Sequence, residues 1–378
     1  MRILHVIPSV APRRGGPTEV VLRLSRALAG RGLSVAVLAT RADLDGAGEQ
    51  EVRAALGPVP LELVSTVGPA RLEVAPGLAW ALASRLPSVD VVHVHTVFTF
   101  PAALPPLVCR AAEKAHVIRP AGTLDEDCIG LRSTRQKRLA IAVYARRALE
   151  GADVVQATSD KEAAELGRLA PRANVMVAAP GAVTPAEVRA DAGAAGRRVG
   201  SLGRIHPSKQ LEVLVRALPL LGDATVLALA GDGEPGYVAG LAALAESLGV
   251  ARRIEWLGHV GEADKRRFLD GCDVLAFPSL HESFGVAVAE AMAAGRAVVV
   301  SPGVALADEI RAADAGTVAL AEPAALAAAV GALLVDGEGR AIKAANARAL
   351  ALGRYGWDAA ADRAIALYEA ALARRRAR

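Results

Sequence analysis

Four charged residues in the second half of the chain are spaced in a way that suits a ligand with both phosphate and hydroxyl groups. Glu282 and Glu290 stand eight residues apart, and Arg204 and Lys209 stand five apart in the stretch GRIHPSKQ. Carboxylates accept hydrogen bonds from hydroxyls, whereas two cations in one loop can neutralise a diphosphate from two sides. A sugar nucleotide carries both kinds of group.

A backbone anion site is predicted between the two carboxylates. The alanine-rich segment Phe284 to Ala294 is predicted to be a helix, and it follows a predicted strand, Cys272 to Phe277, and a polar loop. The N–H groups of Phe284, Gly285 and Val286 then lie at a helix N-terminus, where free donors and the helix dipole attract an anion. Taken alone, a glutamate in such a helix is usually solvated, and a single lysine or arginine is usually a surface charge. The functional interpretation is favoured because both loops follow predicted strands, and open α/β sheets bind ligands at the carboxyl ends of their strands.

A histidine pair and an acidic trio raise the question of a metal ion. His93 and His95 stand two apart at the end of a predicted strand, so they share one face of it. No third ligand is evident nearby, and polar side chains lining a cleft are the favoured interpretation. The trio Asp125-Glu126-Asp127 matches a D-x-D pattern that can hold a divalent metal, but this pattern often occurs by chance. We therefore predict no metal site.

The elements that must position these residues form two similar α/β series. Strand-like and helix-like segments alternate from Ile3 to Ala178, and the alternation restarts at Arg198 after an aperiodic, Pro- and Gly-rich linker, Pro180 to Arg198. In the first series, Gly15 and Gly16 stand between a strand and a helix that we expect to be N-capped by Thr18. The glycine pair is either a plain turn or a close approach to a phosphate, and it is not the G-x-G-x-x-G pattern of a dinucleotide site. Two doubly wound, Rossmann-like domains facing across a cleft are predicted.

Composition excludes several classes of protein. The 378 residues are 53% hydrophobic and 22% charged, a globular profile whose length favours two domains. The net charge of +4 comes from the first half of the chain and is too small to indicate a nucleic-acid partner. The chain also has few aromatic residues (3%) that could stack on bases. The longest uncharged apolar run, Ala324 to Val335, is too short to span a bilayer. The opening MRILHVIPS is predicted to be a strand and not a signal peptide, and three scattered cysteines indicate free thiols, so we expect a cytoplasmic protein.

A basic helix is predicted from Arg132 to Leu149. It carries its positive charges near the start and apolar residues along one side. Such a helix can lie on an anionic membrane surface, or it can pack on the sheet with its arginines solvated. Peripheral contact with the inner face of a membrane is therefore one expectation for this protein.

Several of these stretches resemble the retaining GT-B glycosyltransferases of family 4. The resemblance rests on VGSLGRIHPSKQLEVLVRAL, on FPSLHESFGVAVAEAMAAGRAVVVS, and on the opening ILHVIPSVAPRRGGPTEVVLRLSRALAGRGLSVAVLAT; AGDGE and WLGHV also fit. It covers most of the chain and is strongest over 199–301. It implies a GT-B fold with an acceptor-binding domain at 1–185, a nucleotide-sugar-binding domain at 186–355, and a C-terminal helix at 356–378 packing back toward the first domain.

The resemblance also implies roles for individual residues. Arg204 and Lys209 would bind the diphosphate, Glu290 the ribose hydroxyls, and Glu282 the donor sugar, and Arg204, Lys209 and Glu282 are the predicted catalytic residues. The other predicted donor-binding residues are Gly16, Gly203, Gly258, His259, Val260, Ser283, Phe284, Gly285 and Val286, with Gly258 to Val260 bordering the base. Family members often have a histidine after the strand that ends here at Arg119, whereas this chain has RPAGTL. The predicted acceptor-side residues are His95, Arg119, Gly122 and Asp125.

The resemblance implies transfer of a hexose from a UDP- or GDP-linked donor to a hydroxyl, with retention at the anomeric carbon. The acceptor would be a saccharide or a lipid-linked molecule, in polysaccharide or glycoconjugate synthesis, and no cofactor is expected. A GT-B nucleotide-sugar epimerase is the alternative enzyme. A non-catalytic two-lobed sugar-binding protein is the alternative from another class, and an NAD-dependent dehydrogenase is disfavoured by the missing G-x-G-x-x-G.

Overall fold

The computed structural model describes residues 1–68, 73–124, 141–183 and 197–378. The chain divides into two compact units. Unit 1 comprises Met1–Gly181 and Trp357–Arg378, and unit 2 comprises Ala182–Gly356. The acidic trio at 125–127, most of the predicted linker and the start of the predicted basic helix lie outside the described residues.

Unit 1 is built on a seven-stranded sheet in the order β3-β2-β1-β4-β5-β6-β7, and all of its strand pairs are parallel. Its strands are β1 (Arg2–Ser9), β2 (Ser34–Thr40), β3 (Leu61–Val64), β4 (Val91–His95), β5 (Ala115–Arg119), β6 (Val154–Ala157) and β7 (Val175–Val177). Its described helices are α1 (Gly16–Gly30), α2 (Gly46–Leu56), α3 (Gly77–Arg85), α4 (Phe100–Ala111), α5 (Arg146–Gly151), α6 (Asp160–Leu169) and, from the end of the chain, α14 (Trp357–Arg376).

Unit 2 is built on a six-stranded parallel sheet in the order β10-β9-β8-β11-β12-β13. Its strands are β8 (Arg197–Leu202), β9 (Thr225–Ala230), β10 (Ile254–Gly258), β11 (Val274–Phe277), β12 (Ala297–Val300) and β13 (Thr317–Val318). Its helices are α7 (Leu211–Ala217), α8 (Pro235–Ser247), α9 (Glu262–Asp270), α10 (Val286–Ala293), α11 (Ala307–Ala312), α12 (Pro323–Val335) and α13 (Gly337–Arg354). Short 3₁₀ turns join some elements, among them Pro12–Arg14 and Pro207–Lys209.

Both sheets are doubly wound, as the alternating pattern predicts. The central strands are continuous runs of buried aliphatic residues, such as Val274–Phe277 and Ala297–Val300, because helices cover both faces of the sheet. The order of strands reverses between β1 and β4 in unit 1 and between β8 and β11 in unit 2. Open α/β sheets bind ligands at the carboxyl side of such a switch point, so the loops after β8 and β11 are where a site is expected.

The final helix, α14, packs in unit 1 against α1, β4, β5 and β6. Tyr368 on α14 is fully buried, and its hydroxyl lies 3.0 Å from Nδ1 of His93. At the far end of the helix, Arg375 donates to the buried carboxylate of Asp153 at 2.9 Å. Unit 1 is therefore completed by a segment that follows unit 2 in the chain.

Two local predictions differ from the structure. Helix α1 begins at Gly16, with Gly15 as its N-cap at a φ of 71°, and the hydroxyl of Thr18 bonds to the carbonyl of Ser9 at 3.3 Å instead of capping the helix. The described part of the predicted basic helix is a π-helical turn, Ile141–Ala145, followed by α5.

Candidate functional site

The loop after β8 is held in place by backbone contacts with the loop after β9. Gly203 N donates to the carbonyl of Ala230 at 2.9 Å, and Ile205 N donates to that of Asp232 at 2.8 Å. Gly231 adopts a φ of 144°, and a Cβ there would overlap the carbonyl oxygen of Gly203. The first glycine of AGDGE, Gly231, is thus required by the close approach of the two loop backbones.

The same loop ends in the short 3₁₀ turn that carries Lys209. The ring of His206 caps this turn, because its Nδ1 accepts from Ser208 N at 3.2 Å and lies 2.9 Å from the Ser208 hydroxyl. Gln210 then takes a left-handed conformation before α7 begins. Arg204, at the start of the loop, is exposed.

The loop after β11 is fastened on both sides. Leu280 N donates to the carbonyl of Ser208 at 2.8 Å, which ties it to the loop after β8. On the other side, Glu282 N donates to the carbonyl of Gly303 at 3.0 Å, and the carbonyl of Glu282 accepts from Ala305 N at 3.0 Å. A Cβ on Gly303 would overlap the carbonyl oxygen of Leu280, so this glycine permits the close packing. The backbone that presents Glu282 is therefore firmly positioned.

Lys209 and Glu282 form an ion pair between Nζ and Oε1, and the hydroxyl of Ser279 lies 3.3 Å from the same carboxylate oxygen. Both side chains keep partial contact with solvent, at 24% and 21% exposure. A phosphate that reaches Lys209 would compete with Glu282 for the same cation. Two of the three predicted catalytic residues, which come from separate loops, are thus brought into contact.

A small pocket opens beside this pair. It is lined by residues of the loop after β8 and of the end of β11. Lining residues are Gly203, Arg204, Lys209, Leu229, Phe277 and Ser279.

Helix α10 begins next to the pair. Its N-cap is Gly285, in the left-handed region at a φ of 97°, and no side chain caps the helix. The first N–H groups of a helix have no partner within it, so they are available to an anion. Phe284 is buried edge-on against the ring of Tyr355, with ring centroids 5.0 Å apart, which anchors the turn. The helix begins at Val286, two residues later than predicted.

Glu290 lies one turn into α10 and pairs with Lys265 of α9. The Lys265 ammonium nitrogen is 2.6 Å from Oε1 of Glu290. No sequence pattern indicates a role for Lys265, because it lies in a strongly charged helix, 25 residues from its partner.

The predicted base-bordering segment follows β10. The carbonyl of Gly258 accepts from Gly231 N at 2.7 Å, so this segment is joined to the AGDGE turn. Gly258 has a φ of 63°, and the side chain of His259 is exposed. The structure brings the segment to the same edge of the sheet as the loops after β8 and β11.

In unit 1, two of the predicted site residues, His95 and Arg119, lie in a buried polar cluster. His5 of β1 pairs in register with His93 of β4, and His5 Nδ1 lies 2.9 Å from Nε2 of His95. All three rings are buried. His5 is a third histidine that no sequence pattern links to the pair, because only the register of β1 with β4 places it there.

The cluster has the geometry of a possible metal site but an unfavourable charge environment. One ring nitrogen from each of His5, His93 and His95 lies within 4.8 Å of the others. Burial lowers the pKa of His5 to about 3, and the positive charge of Arg119 lowers it further. Burial also holds the pKa values of His93 and His95 well below the ordinary value. Neutral imidazoles suit a metal, but the buried guanidinium that depresses these pKa values would also repel a cation, so we assign none.

Glu162 organises the loop that follows Arg119. Gly122 N donates to its Oε1 at 2.6 Å, and Thr158 N donates to its Oε2 at 2.7 Å. Arg119 itself is buried, and burial lowers its pKa to about 10. The acceptor-side roles of His95, Arg119 and Gly122 stay predictions, and Asp125 lies outside the described residues. Gly16 opens α1, and its predicted approach to the donor phosphate also stays a prediction.

Two family models match the chain. Residues 196–336 match the model described as glycosyl transferases group 1, and residues 15–181 match the glycosyl transferase 4-like domain. The chain belongs to the GT-B glycosyltransferases of the family 4 kind. Together the two models cover most of both units.

Relatives of known name match part of the chain. The D-inositol 3-phosphate glycosyltransferase of Xylanimonas cellulosilytica is 40% identical over 182 residues, which is 47% of this chain and 43% of the relative. The enzyme of the same name from Mycobacterium sp. (strain KMS) is 39% identical over 103 residues, 27% of this chain and 24% of the relative. The chain thus spans less than half the length of these relatives.

Solved structures share the fold over nearly the whole chain. Anabaena Alr3699/HepE in complex with UDP and glucose aligns with a TM-score of 0.80 at 22% identity, covering 98% of this chain and 99% of that one. Sucrose-phosphate synthase from Thermosynechococcus elongatus aligns with a TM-score of 0.79 at 19% identity, covering 98% of each. Both confirm the predicted GT-B fold. Among the described helices, none combines the length and the low charge that a bilayer-crossing segment requires.

Proposed function

We propose that this protein is a retaining glycosyltransferase that moves a hexose from a nucleoside diphosphate to a hydroxyl acceptor. The observation that carries the proposal is the meeting of Lys209 and Glu282 at the switch point of unit 2, beside the uncapped start of α10. A cation, a hydrogen-bond acceptor and free N–H groups then converge where an α/β sheet binds its ligand.

Each group has a role in the proposed reaction. As the glycosidic bond to the diphosphate breaks, negative charge gathers on the leaving phosphate, and Lys209, exposed Arg204 and the N–H groups of α10 stabilise it. Glu282 exchanges its contact with Lys209 for hydroxyls of the donor sugar. Glu290 accepts from the ribose hydroxyls.

Retention is proposed to follow a front-face route. The sugar passes through an oxocarbenium-like state, the acceptor oxygen bonds to the anomeric carbon on the face that the diphosphate leaves, and the departing phosphate oxygen takes the acceptor proton. Among the residues that the structure describes, we assign no carboxylate as the nucleophile on the opposite face for a double displacement. This assignment rests on the family resemblance together with the donor-side charges.

The chemical classes of the donor and the acceptor can be narrowed. UDP and UDP-glucose appear in the names of structures that share this fold, and relatives carry the name D-inositol 3-phosphate glycosyltransferase. We propose a UDP- or GDP-hexose donor and a polyhydroxylated acceptor, with an anionic one favoured by the positive charge surplus of the first half of the chain. A lipid-linked acceptor would add peripheral contact with an anionic membrane surface, which sedimentation with phosphatidylglycerol vesicles would detect.

The test is a transfer assay with UDP- and GDP-hexoses and with inositol 3-phosphate, simple sugars and lipid-linked sugars as acceptors. Arg204→Ala, Lys209→Ala and Glu282→Gln should each lower turnover by about a hundredfold or more, since each removes a group that acts on the departing phosphate or the sugar. Arg216→Ala and Glu246→Gln, at exposed positions of the same unit, serve as matched controls. Three folded site variants with wild-type turnover would refute the assignment.

The product distinguishes the alternatives. Proton NMR of the new linkage should show the anomeric configuration of the donor. Epimerised or free sugar formed from the donor alone, without acceptor, would indicate the epimerase instead. Tight binding of a free sugar with no turnover of any nucleotide sugar would favour the two-lobed binding protein.

A further inference from the structure

The ion pair between Lys265 and Glu290 is the strongest feature near the donor site that the proposed reaction leaves unexplained. Its two charged atoms are 2.6 Å apart, and only 13% of the lysine side chain and 10% of the glutamate side chain are exposed. Ion pairs this well buried lose much of their hydration, so their retention calls for a reason beyond stability.

The position of Lys265 suggests that reason. Lys265 lies in the first half of α9, the helix that directly follows the segment Gly258 to Val260. Glu290 lies one turn into α10, whose start faces the proposed phosphate position. The pair thus joins the helix after the predicted base-bordering segment to the helix predicted to hold ribose and phosphate.

Ribose binding depends on the charge and the orientation of the Glu290 carboxylate. An ionised carboxylate accepts hydrogen bonds from hydroxyls at both oxygens, whereas a protonated one must use an oxygen as a donor. A poorly hydrated carboxylate with no cation beside it turns toward water. A lysine held against one oxygen balances the charge of the carboxylate and fixes its rotamer.

We infer that Lys265 is a positioning residue for ribose recognition, acting through Glu290 to make the site select a ribonucleotide over a 2′-deoxyribonucleotide. The inference rests on the proposed function, because it takes Glu290 to be the ribose ligand. Beyond the proposed function, the inference assigns a role to Lys265 on α9 and makes this residue responsible for the preference for ribose over deoxyribose.

The experiment compares the dissociation constants of UDP and 2′-deoxy-UDP, and of the guanosine pair, by calorimetry on the full chain. Wild type should bind the ribonucleotide about 10- to 100-fold more tightly, since a hydrogen bond to a charged group is at stake. Lys265→Met should reduce that ratio to about threefold or less, and Lys265→Arg should restore most of it. Arg267→Met is the matched control, because it removes a cation that is 81% exposed on the same helix.

A double variant keeps the test informative if Lys265→Met does not fold. Lys265→Met/Glu290→Gln removes both charges, which costs less than stranding one of them. It should bind both nucleotides with nearly equal affinity, as Glu290→Gln alone should.

The outcomes separate this inference from the proposed function. A folded Lys265→Met protein that keeps the wild-type ratio overturns the role of Lys265 and leaves glycosyl transfer standing. A wild-type ratio near one overturns the ribose role of Glu290 and this inference with it. Failure of the wild type to bind or turn over any UDP or GDP compound overturns the proposed function itself.

Discussion

Lys209 contacts Glu282 through Nζ and Oε1, so the lysine that we propose to bind a diphosphate is paired with a carboxylate that follows the neighbouring strand of the sheet. In the proposed reaction the donor therefore has to break this ion pair when it binds. A nucleotide without its sugar gains the lysine but gives the displaced carboxylate no hydroxyl to accept from.

This relationship predicts opposite effects on binding for two variants. Glu282→Gln should bind UDP about two- to fivefold more tightly than wild type, because Lys209 no longer has to leave an anion and partly exposed pairs are worth up to about 1 kcal/mol. Lys209→Met should bind it about tenfold or more weakly. Isothermal titration with UDP measures both, and Glu246→Gln is the control. Weaker binding by Glu282→Gln would contradict the exchange.

The AGDGE turn should tolerate no side chain at its first glycine. Gly231→Ala combines a backbone conformation with a φ of 144° and an overlap with the Gly203 carbonyl. We expect a loss of about 2 to 4 kcal/mol in the free energy of unfolding, together with weaker nucleotide binding as the loop after β8 shifts. Urea denaturation measures the loss. Gly236→Ala, where a Cβ meets nothing within 4 Å, should change the free energy of unfolding by less than about 1 kcal/mol.

The buried histidines should make the protein less stable in mild acid. His5 stays neutral in the folded state because burial and Arg119 lower its pKa to about 3, whereas in the unfolded state it protonates near pH 6.5. The unfolded state then binds more protons between these values, so the free energy of unfolding falls as the pH drops below about 6.5. By pH 5 the loss from one such histidine is about 2 kcal/mol.

Denaturation curves at several pH values test this expectation. His5→Gln should show a shallower fall between pH 6.5 and 5, and His259→Gln, at an exposed position, should follow wild type. A wild-type profile that is flat across this range would argue that the cluster is hydrated or protonated in the folded protein.

The end of α14 should be fastened by Asp153. Burial would raise the pKa of Asp153, but hydrogen bonds from His116 and Arg375 outweigh it and hold the pKa below the ordinary value. Arg375→Met removes the nearer of the two arginines that pair with this buried carboxylate, leaving Arg378 at 3.5 Å from its other oxygen, and should cost up to about 3 kcal/mol in the free energy of unfolding of unit 1. Arg376→Met, at the next and exposed position, should cost little. Equal effects in thermal denaturation of the two variants would refute a specific role for the pair.

Much of the fold can be predicted from the local sequence pattern, whereas contacts between strands depend on the register in which the strands pair. Continuous aliphatic strands alternating with helices predict parallel sheets, and the position of Arg204, Lys209 and Glu282 in loops after strands predicts one site. Nothing local predicts that His5 stands beside His93, since a single histidine in an apolar strand has no partner until β1 pairs with β4. Nothing local predicts the partner of Lys265 either, because only the packing of α9 beside α10 brings it to Glu290.

The start of α1 shows a different limit. Thr18 after Pro17 is a sound capping signal. Gly15 can adopt a positive φ, however, so the helix begins earlier, and the threonine hydroxyl donates to the carbonyl of Ser9. Competing local signals of this kind are resolved by the neighbouring strand.

The passage of the chain out of unit 1 and back into it also affects how the protein is made. Unit 2 is one continuous stretch, so it can fold while the ribosome is still adding residues. Unit 1 cannot be completed before Trp357–Arg376 is synthesised. Until then, the surface of the sheet that Tyr368 covers, next to His5, His93 and His95, is exposed. The domain translated first is thus the one finished last, and until then its nascent sheet exposes apolar surface that is prone to aggregation.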